Sequence, residues 1–239
     1  MKAMIFAAGL GTRFRPWTDK HPKALAMVNG KPLLHHAIQY LQQYDIREVV
    51  VNVHHFAGQV IDAIKKNRGW GSDITISNEE DGVLETGGGL LKAKDLLKGQ
   101  RFMTINVDIL TDLNIDKFLD HHQQTGSFIS LAIAERKTSR FLLFNEQNRL
   151  CGWRNIKGDE IIEKITTPAA TYLQKAYSGM AIFEPAIFEY ITTTGKFSVI
   201  DVYLELAQKK IISGYDHTGD KWVDVGKPES VAVAEKLFP

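Results

Sequence analysis

The first half of the chain alternates short apolar runs with amphipathic segments of helical period, a rhythm that parallel strands joined by crossover helices satisfy. Residues 3 to 8, Glu48-Val49-Val50-Val51-Asn52-Val53, residues 73 to 77, Phe102-Met103-Thr104-Ile105-Asn106 and Phe128 to Ala134 read as strands. Between them, Leu34, Ala37, Ile38 and Leu41 recur at helical spacing, as do Ala57, Val60, Ile61 and Ile64, and Ile115, Phe118, Leu119 and His122. From about residue 140 the rhythm changes. Arg140 to Asn145 and Arg149 to Trp153 flank the polar Glu146-Gln147-Asn148, which predicts a hairpin and an antiparallel addition to the sheet. Ser178 to Phe183 reads as a further strand, Ser198 as the cap of a helix carrying Val199, Val202, Tyr203 and Leu206, and Glu229 to Leu237 as a closing helix. No repeat or Pro/Ser-rich linker interrupts the pattern, so residues 1–239 are expected to form a single α/β domain.

Charge narrows the function classes. Lys plus Arg total 29 and Asp plus Glu 28, a net charge of +1, so no overall field recruits nucleic acid or an anionic membrane. The single cysteine, Cys151, cannot make an internal disulfide, and no His/Cys cluster has zinc-ligand spacing. The apolar run Ala3 to Ala8 is far shorter than a signal core or a membrane span. A cytoplasmic location is expected.

The stretch Ala7-Ala8-Gly9-Leu10-Gly11-Thr12-Arg13-Phe14-Arg15-Pro16 follows the first strand, at the sheet edge where α/β folds bind ligands. Gly9 and Gly11 let the backbone turn sharply and bring N–H groups of Ala8 to Thr12 close to an anion, while Arg13 and Arg15 add forked donors for phosphate oxygens. An ordinary tight turn with two solvated arginines is the alternative. Phe14 stands where a dinucleotide fingerprint needs its third glycine, and Arg13-Phe14-Arg15 where a P-loop needs Gly-Lys-Ser/Thr.

The ordered set Gly9-x-Gly11-Thr12-Arg13-x-x-Pro16, Pro22-Lys23 and Gly30-Lys31-Pro32-Leu33 resembles the signature of the sugar-1-phosphate nucleotidylyltransferases. Further matches run along the chain: Leu84-Glu85-Thr86-Gly87-Gly88-Gly89, Asn106-Val107-Asp108, Ser178-Gly179 and Trp222-Val223-Asp224-Val225-Gly226. The Glu-Thr-Gly-Gly-Gly segment looks most like the N-acetylmuramate-1-phosphate uridylyltransferase branch. The resemblance implies a Rossmann-like, three-layer nucleotidyltransferase fold, with a mostly parallel central sheet and an antiparallel addition. It also implies attack of a sugar-1-phosphate on the α-phosphorus of a nucleoside triphosphate, with release of pyrophosphate. The nucleophile is already anionic, so catalysis reduces to aligning phosphates and neutralising moving charge.

By motif matching, Arg13 is implied to hold the triphosphate and the departing pyrophosphate, and Lys23 to approach the α-phosphate and the incoming sugar phosphate; Asp108 and Asp224 are implied to share Mg²⁺. Glycine is usual where Val107 stands, so the backbone or sugar pocket near Asp108 is expected to differ. Base recognition is expected from a loop between Glu80 and Gly89, with Gly87 and Gly88 offering backbone groups and Glu80 accepting the N3–H of uracil. A carboxylate there also suits the two donors of guanine, which keeps GTP open beside UTP. A solvated acidic turn is the bland alternative for Glu79, Glu80 and Asp81. Gly179 and Glu163 are the expected sugar contacts, although Ile165 replaces the usual proline of the Glu-x-Lys-Pro element. Adjacent histidines at 35 and 36, 54 and 55, and 121 and 122 diverge on a helix or a strand and make no chelate by themselves. Cys151 reads as a structural thiol. The competing classes are a non-catalytic nucleotide-sugar sensor and an NAD-dependent oxidoreductase; a phosphocholine cytidylyltransferase is a further variant of the transferase reading. The sensor would be expected to lose Lys23 or an aspartate. The oxidoreductase lacks its acidic residue after the second strand, where Asn52-Val53-His54 stands. No hexapeptide repeat follows the last helix, so a fused acetyltransferase is not expected. The oligomeric state leaves no mark in the sequence.

Overall fold

Successive strand residues point to opposite faces, so a strand apolar at every position must be covered on both sides. The computed structural model, which describes residues 1–79 and 82–239, shows how that is done. The first run becomes β1 (Lys2–Phe6). After the phosphate-type loop come β2 (Met27–Val28) and β3 (Lys31–Pro32), a small ribbon leading into α1 (Leu33–Gln42). Then follow β4 (Glu48–Val53), α2 (Ala57–Lys66), β5 (Asp73–Asn78), α3 (Glu85–Lys92) and α4 (Lys94–Leu97). The middle of the chain forms β6 (Phe102–Asn106), β7 (Ile109–Thr111), α5 (Ile115–Gln124) and β8 (Ile129–Ala134). The remainder supplies β9 (Arg140–Phe144), β10 (Leu150–Lys157), β11 (Glu160–Ile165), β12 (Leu173–Phe183), α6 (Val199–Leu206), β13 (Ile212–Asp216), β14 (Trp222–Asp224) and α7 (Glu229–Leu237).

Strands β6, β1, β4 and β5 lie side by side and parallel, as the βα alternation predicts. On the other side of β6 the sheet turns antiparallel through β12, which also pairs with β8 and β9; β13 adds parallel to β8. Ala3 and Ile5 pack with Leu34, Ile38 and Phe118 on one face, while Met4 and Phe6 pack with Leu90, Val202 and Tyr203 on the other. The period of two thus divides the core into two layers with the sheet between them. This is the mixed, mostly parallel-centred Rossmann-like architecture expected from the sequence.

The predicted hairpin forms, with β9 and β10 joined by residues 145–149. Ser198 caps α6, accepting from the Ile200 N–H at 3.2 Å. Two readings shift. The first strand stops at Phe6 rather than residue 8, because the Ala7 N–H leaves the sheet to donate to Asn52 Oδ1 at 2.7 Å. The strand read as Ser178 to Phe183 begins at Leu173, and its amino-terminal part pairs with β9. β11 gave no sequence signal: Glu-Ile-Ile-Glu-Lys-Ile has no alternation, and every residue of it is exposed at the sheet edge.

Candidate active site

The glycine loop is fixed from both ends. Gly11 sits at φ +61, where a Cβ would lie 2.8 Å from Thr18 Cγ2, so glycine is required by conformation and by space. Its carbonyl accepts from the Phe14 N–H at 2.8 Å and from Thr18 Oγ1 at 2.9 Å, opening a short helical turn, Thr12–Phe14. Phe14 is buried and meets Trp17 edge-on at 6.0 Å. This anchor leaves the preceding Arg13 side chain 59% exposed over the loop.

Long-range pairing supplies the acid pair. Asp108 follows β6, and Asp224 ends β14, whose antiparallel pairing with β7 sets Asp224 opposite Ile109. The Val225 N–H donates to the Asp108 carbonyl at 2.8 Å, which locks the two strand ends together. Lys23 reaches in from the turn after Pro22, and its Nζ donates to Asp108 Oδ2; both side chains are nearly buried. Arg13 Nη2 lies 3.9 Å from Asp224 Oδ2. Burial, followed by repulsion from Asp108, pushes the Asp224 carboxyl above its ordinary value, with Lys23 and Arg13 pulling the other way. The structure therefore brings together Arg13, Lys23, Asp108 and Asp224.

Asp224 Oδ1 is buried without a hydrogen-bond donor among the described residues. An orphan carboxylate oxygen beside a second carboxylate is what a hard divalent cation satisfies, and two carboxylates with substrate phosphates and water form an ordinary Mg²⁺ donor set. The residues present fit the ion. Among the described residues no cluster of three or more His, Cys, Asp or Glu residues suggests a different metal centre.

A cavity of about 320 Å³ lies beside the loop, lined by Gly9, Gly11 and Thr12 on one side and by Asn52, Glu79 and Lys196 on another. Ala8 lines it too. Glu80 lies outside the described residues. Its neighbour Glu79, for which a solvated turn is the bland alternative in sequence, is not solvated. It is 1% exposed, its Oε1 accepts from Asn52 Nδ2 at 2.7 Å, and its Oε2 is buried without a hydrogen-bond partner among the described residues. Desolvation raises its carboxyl above the usual range, opposed by the Asn52 hydrogen bond.

The expected open glycine loop is corrected. Gly87 and Gly88 lie inside α3, and both N–H groups donate to the Phe197 carbonyl, at 2.9 and 3.3 Å, so neither is free for a base edge. The glycines serve close packing. A Cβ would meet the Phe197 ring at 2.4 Å from Gly87, the Gly195 carbonyl at 2.2 Å from Gly88, and Glu79 Oε1 at 2.6 Å from Gly89. The third glycine thus makes room for the buried carboxylate, a signal that glycine-counting in sequence does not reveal.

On the other side of Arg13 a second cavity, about 540 Å³, is lined by Arg13, Asp224, Arg136, Arg140 and Trp153. The expected sugar contact Glu163 does not line it. In the β10–β11 pair Glu163 lies opposite Arg154, and its Oε1 accepts from Arg154 Nε at 2.8 Å. Side chains alternate across a strand, so it is the next residue, Lys164, opposite Trp153, that shares the Trp153 face. Gly179 holds φ +79 at an irregularity in β12, where a Cβ would sit 3.0 Å from Asn106 and Ile109, directly around the Asp108 turn. Its position supports the turn; the linings of both cavities are made by other residues.

Comparison with known proteins decides the family. The profile described as nucleotidyl transferase matches residues 2–238. The chain belongs to the nucleotidyl transferase family. The N-acetylmuramate alpha-1-phosphate uridylyltransferase of Neisseria meningitidis serogroup B is 33% identical over 226 residues, covering 95% of this chain and 93% of its own. A protein of the same description from Caulobacter vibrioides is 29% identical over 240 residues, covering 98% and 95%. Among solved structures, HddC from Yersinia pseudotuberculosis complexed with GMP-PN superposes with a TM-score of 0.77 at 23% identity, covering 100% of this chain and 99% of that one. The branch suggested by Glu85-Thr86-Gly87-Gly88-Gly89 is that of the two uridylyltransferases named.

In this nucleotidyl transferase the Val107 side chain, where glycine was expected, packs into the core at 3% exposure, and its N–H donates to the Phe6 carbonyl at 3.1 Å. Of the adjacent histidines, His35 stacks on Trp70 and His36 Nε2 contacts the Val28 carbonyl; His54 and His55 contact the Glu79 and Thr18 carbonyls, and His121 and His122 contact Ser213 and Ser130. Cys151 is buried, and burial raises its thiol. No helix among the described residues is long and apolar enough to cross a membrane.

Proposed function

We propose that this chain transfers a nucleotidyl group from a nucleoside triphosphate, UTP by preference, to a sugar-1-phosphate, giving an NDP-sugar and pyrophosphate, with Mg²⁺ as its cofactor. The observation that carries the reading is the position of Arg13, Lys23, Asp108 and Asp224 between two cavities, one along the glycine loop and one beyond Arg13. Two anionic substrates approaching from opposite sides would meet at that point. An oxygen of the sugar phosphate forms the new bond to the α-phosphorus as the bond to the bridging oxygen of pyrophosphate breaks, and no proton has to move. Mg²⁺ held by Asp108 and Asp224 would neutralise phosphate charge at the reacting centre. Arg13 draws the triphosphate into register, and its exposed guanidinium stays with the departing pyrophosphate. Lys23 exchanges its contact with Asp108 for the α-phosphate oxygens, which a compact ammonium on a flexible stem does readily. Glu79, held by Asn52 beside the glycine loop, is placed to contact the base.

A cytoplasmic enzyme supplying a nucleotide sugar, for cell-wall building in the setting its relatives' names suggest, completes the proposal. The test is pyrophosphate release across a matrix of common nucleoside triphosphates and sugar-1-phosphates. Turnover with UTP and at least one sugar-1-phosphate is expected. Folded protein silent in every cell at saturating Mg²⁺ would overturn the transferase reading, and a preference for GTP of about tenfold, ~1.4 kcal/mol in discrimination, would overturn the choice of UTP.

A further inference from the structure

Arg136, just beyond the end of β8, is held in place without being neutralised. Between Tyr177 and Ala181 the pairing of β12 with β8 shifts register, and carbonyls on such a stretch can take side-chain donors. Trp222 Nε1 donates to the Ser178 carbonyl at 3.0 Å, which fixes the indole. The Arg136 guanidinium lies over that ring at 3.9 Å, and its Nη2 donates to the Tyr177 carbonyl. Among the described residues this carbonyl is the one acceptor the protein supplies to a group with five donors, its Nε is buried without a partner, and it makes no ion pair. Burial works against its charge, and Asp224 works for it. A half-buried guanidinium in this state is completed by an anion.

Its place decides which anion. Trp222 and Asp224 stand two apart on β14 and so share one face, about 7 Å from each other along the strand. The guanidinium over that ring therefore lies at the Asp224 end of the phosphate cluster. Arg136 and Asp224 both line the cavity of about 540 Å³ beyond Arg13, which has no lining residue in common with the cavity along the glycine loop. An anion bound there approaches from the side opposite the nucleotide, and the group that nucleotidyl transfer requires at that point is the phosphate of the acceptor.

We propose that Arg136 binds the phosphate of the incoming sugar-1-phosphate and holds it beside Asp224 for attack on the α-phosphorus. The inference rests on the transferase reading above. One oxygen of that phosphate forms the bond to the α-phosphorus while the bond to pyrophosphate breaks; Arg136 pairs with the oxygens that do not attack and takes no proton. The contact exists before and during transfer, so it acts on acceptor binding more than on turnover.

The experiment uses whichever of glucose, mannose and N-acetylmuramate 1-phosphates the wild-type protein turns over fastest, with its preferred nucleoside triphosphate and Mg²⁺. Arg136→Gln should raise the KM for that acceptor by about tenfold or more, the usual effect of losing a hydrogen bond to a charged group. The KM for the nucleoside triphosphate and the Mg²⁺ requirement should stay within about twofold of wild type. Arg136→Lys, which keeps the charge but loses the fork, should recover part of the acceptor affinity. A purely structural role, loosening Trp222 and the strand that carries Asp224, would move the nucleotide and Mg²⁺ along with the acceptor. Equal rises for both substrates therefore overturn the assignment, as does an unchanged acceptor KM in Arg136→Gln. If Arg136→Gln does not fold, Arg136→Lys decides by the same split: a rise confined to the acceptor supports the assignment, and any other result overturns it. Absence of pyrophosphate from every sugar-1-phosphate with wild-type protein overturns the transferase reading instead, so the two failures are told apart.

Discussion

Replacing Asp224 with asparagine should make the protein more stable and far less active. Asp224 Oδ1 is buried without a donor among the described residues, and Asp108 stands beside it, so the ionised carboxylate is held where the fold alone disfavours it. An amide keeps the shape, removes the charge and can donate to Asp108. An unsatisfied buried polar group costs about 1–3 kcal/mol. Because 36% of this side chain is reached by solvent, and the 3.9 Å contact with exposed Arg13 is lost, a net gain of about 1 kcal/mol is expected. For a chain of this size that corresponds to a Tm rise of about 2–4 °C in metal-free buffer. Mg²⁺ should act in the opposite sense on the pair of proteins. At a hundred times its Kd it would stabilise the wild type by about 2.7 kcal/mol and the variant far less, reversing their order in thermal melts. Turnover, followed by pyrophosphate release, should fall by roughly a hundredfold or more. A variant that melts below the wild type without metal, or one that keeps near-normal turnover at saturating Mg²⁺, would refute the reasoning.

Lys23→Ala should lower kcat while Arg13→Ala also raises the KM for the nucleoside triphosphate, each by roughly a hundredfold in kcat/KM; unchanged steady-state kinetics in both would make them solvated loop residues. Gly88→Ala should destabilise the protein by about 1–3 kcal/mol, because its Cβ would lie 2.2 Å from the Gly195 carbonyl; an unchanged urea midpoint would show that the 195 segment yields freely. Burial lowers His121, His122 and His217 below their ordinary 6.5, so the unfolded chain binds more protons as pH falls. Stability from these three should be fully present above about pH 6.5 and decline below it, towards their folded values, giving a lower urea midpoint at mildly acidic pH; a midpoint that rises on acidification contradicts the sign.

The sequence by itself determined what is local. A βα rhythm specifies a parallel sheet because periods of 2 and 3.6 residues are read from neighbours, and the Gly9-to-Pro16 stretch marks its own turn with Arg13 and Arg15 on it, while Lys23 was named by resemblance. Asp108 and Asp224 could be named by resemblance. Their meeting, however, depends on β7 pairing with β14 and on the Val225 N–H reaching the Asp108 carbonyl, contacts between distant segments. Tertiary structure alone also decided which glycines bend the backbone and which admit a neighbour: Gly11 needs its positive φ, whereas Gly87 and Gly88 are needed for the closeness of residues 195–197. It decided that Glu79 is buried by Asn52, and that Lys164 rather than Glu163 shares the Trp153 face, since a one-residue step in register exchanges the two faces of a strand. Chemical type and local geometry are written along the chain, while the company each side chain keeps is set by pairings that no local pattern records.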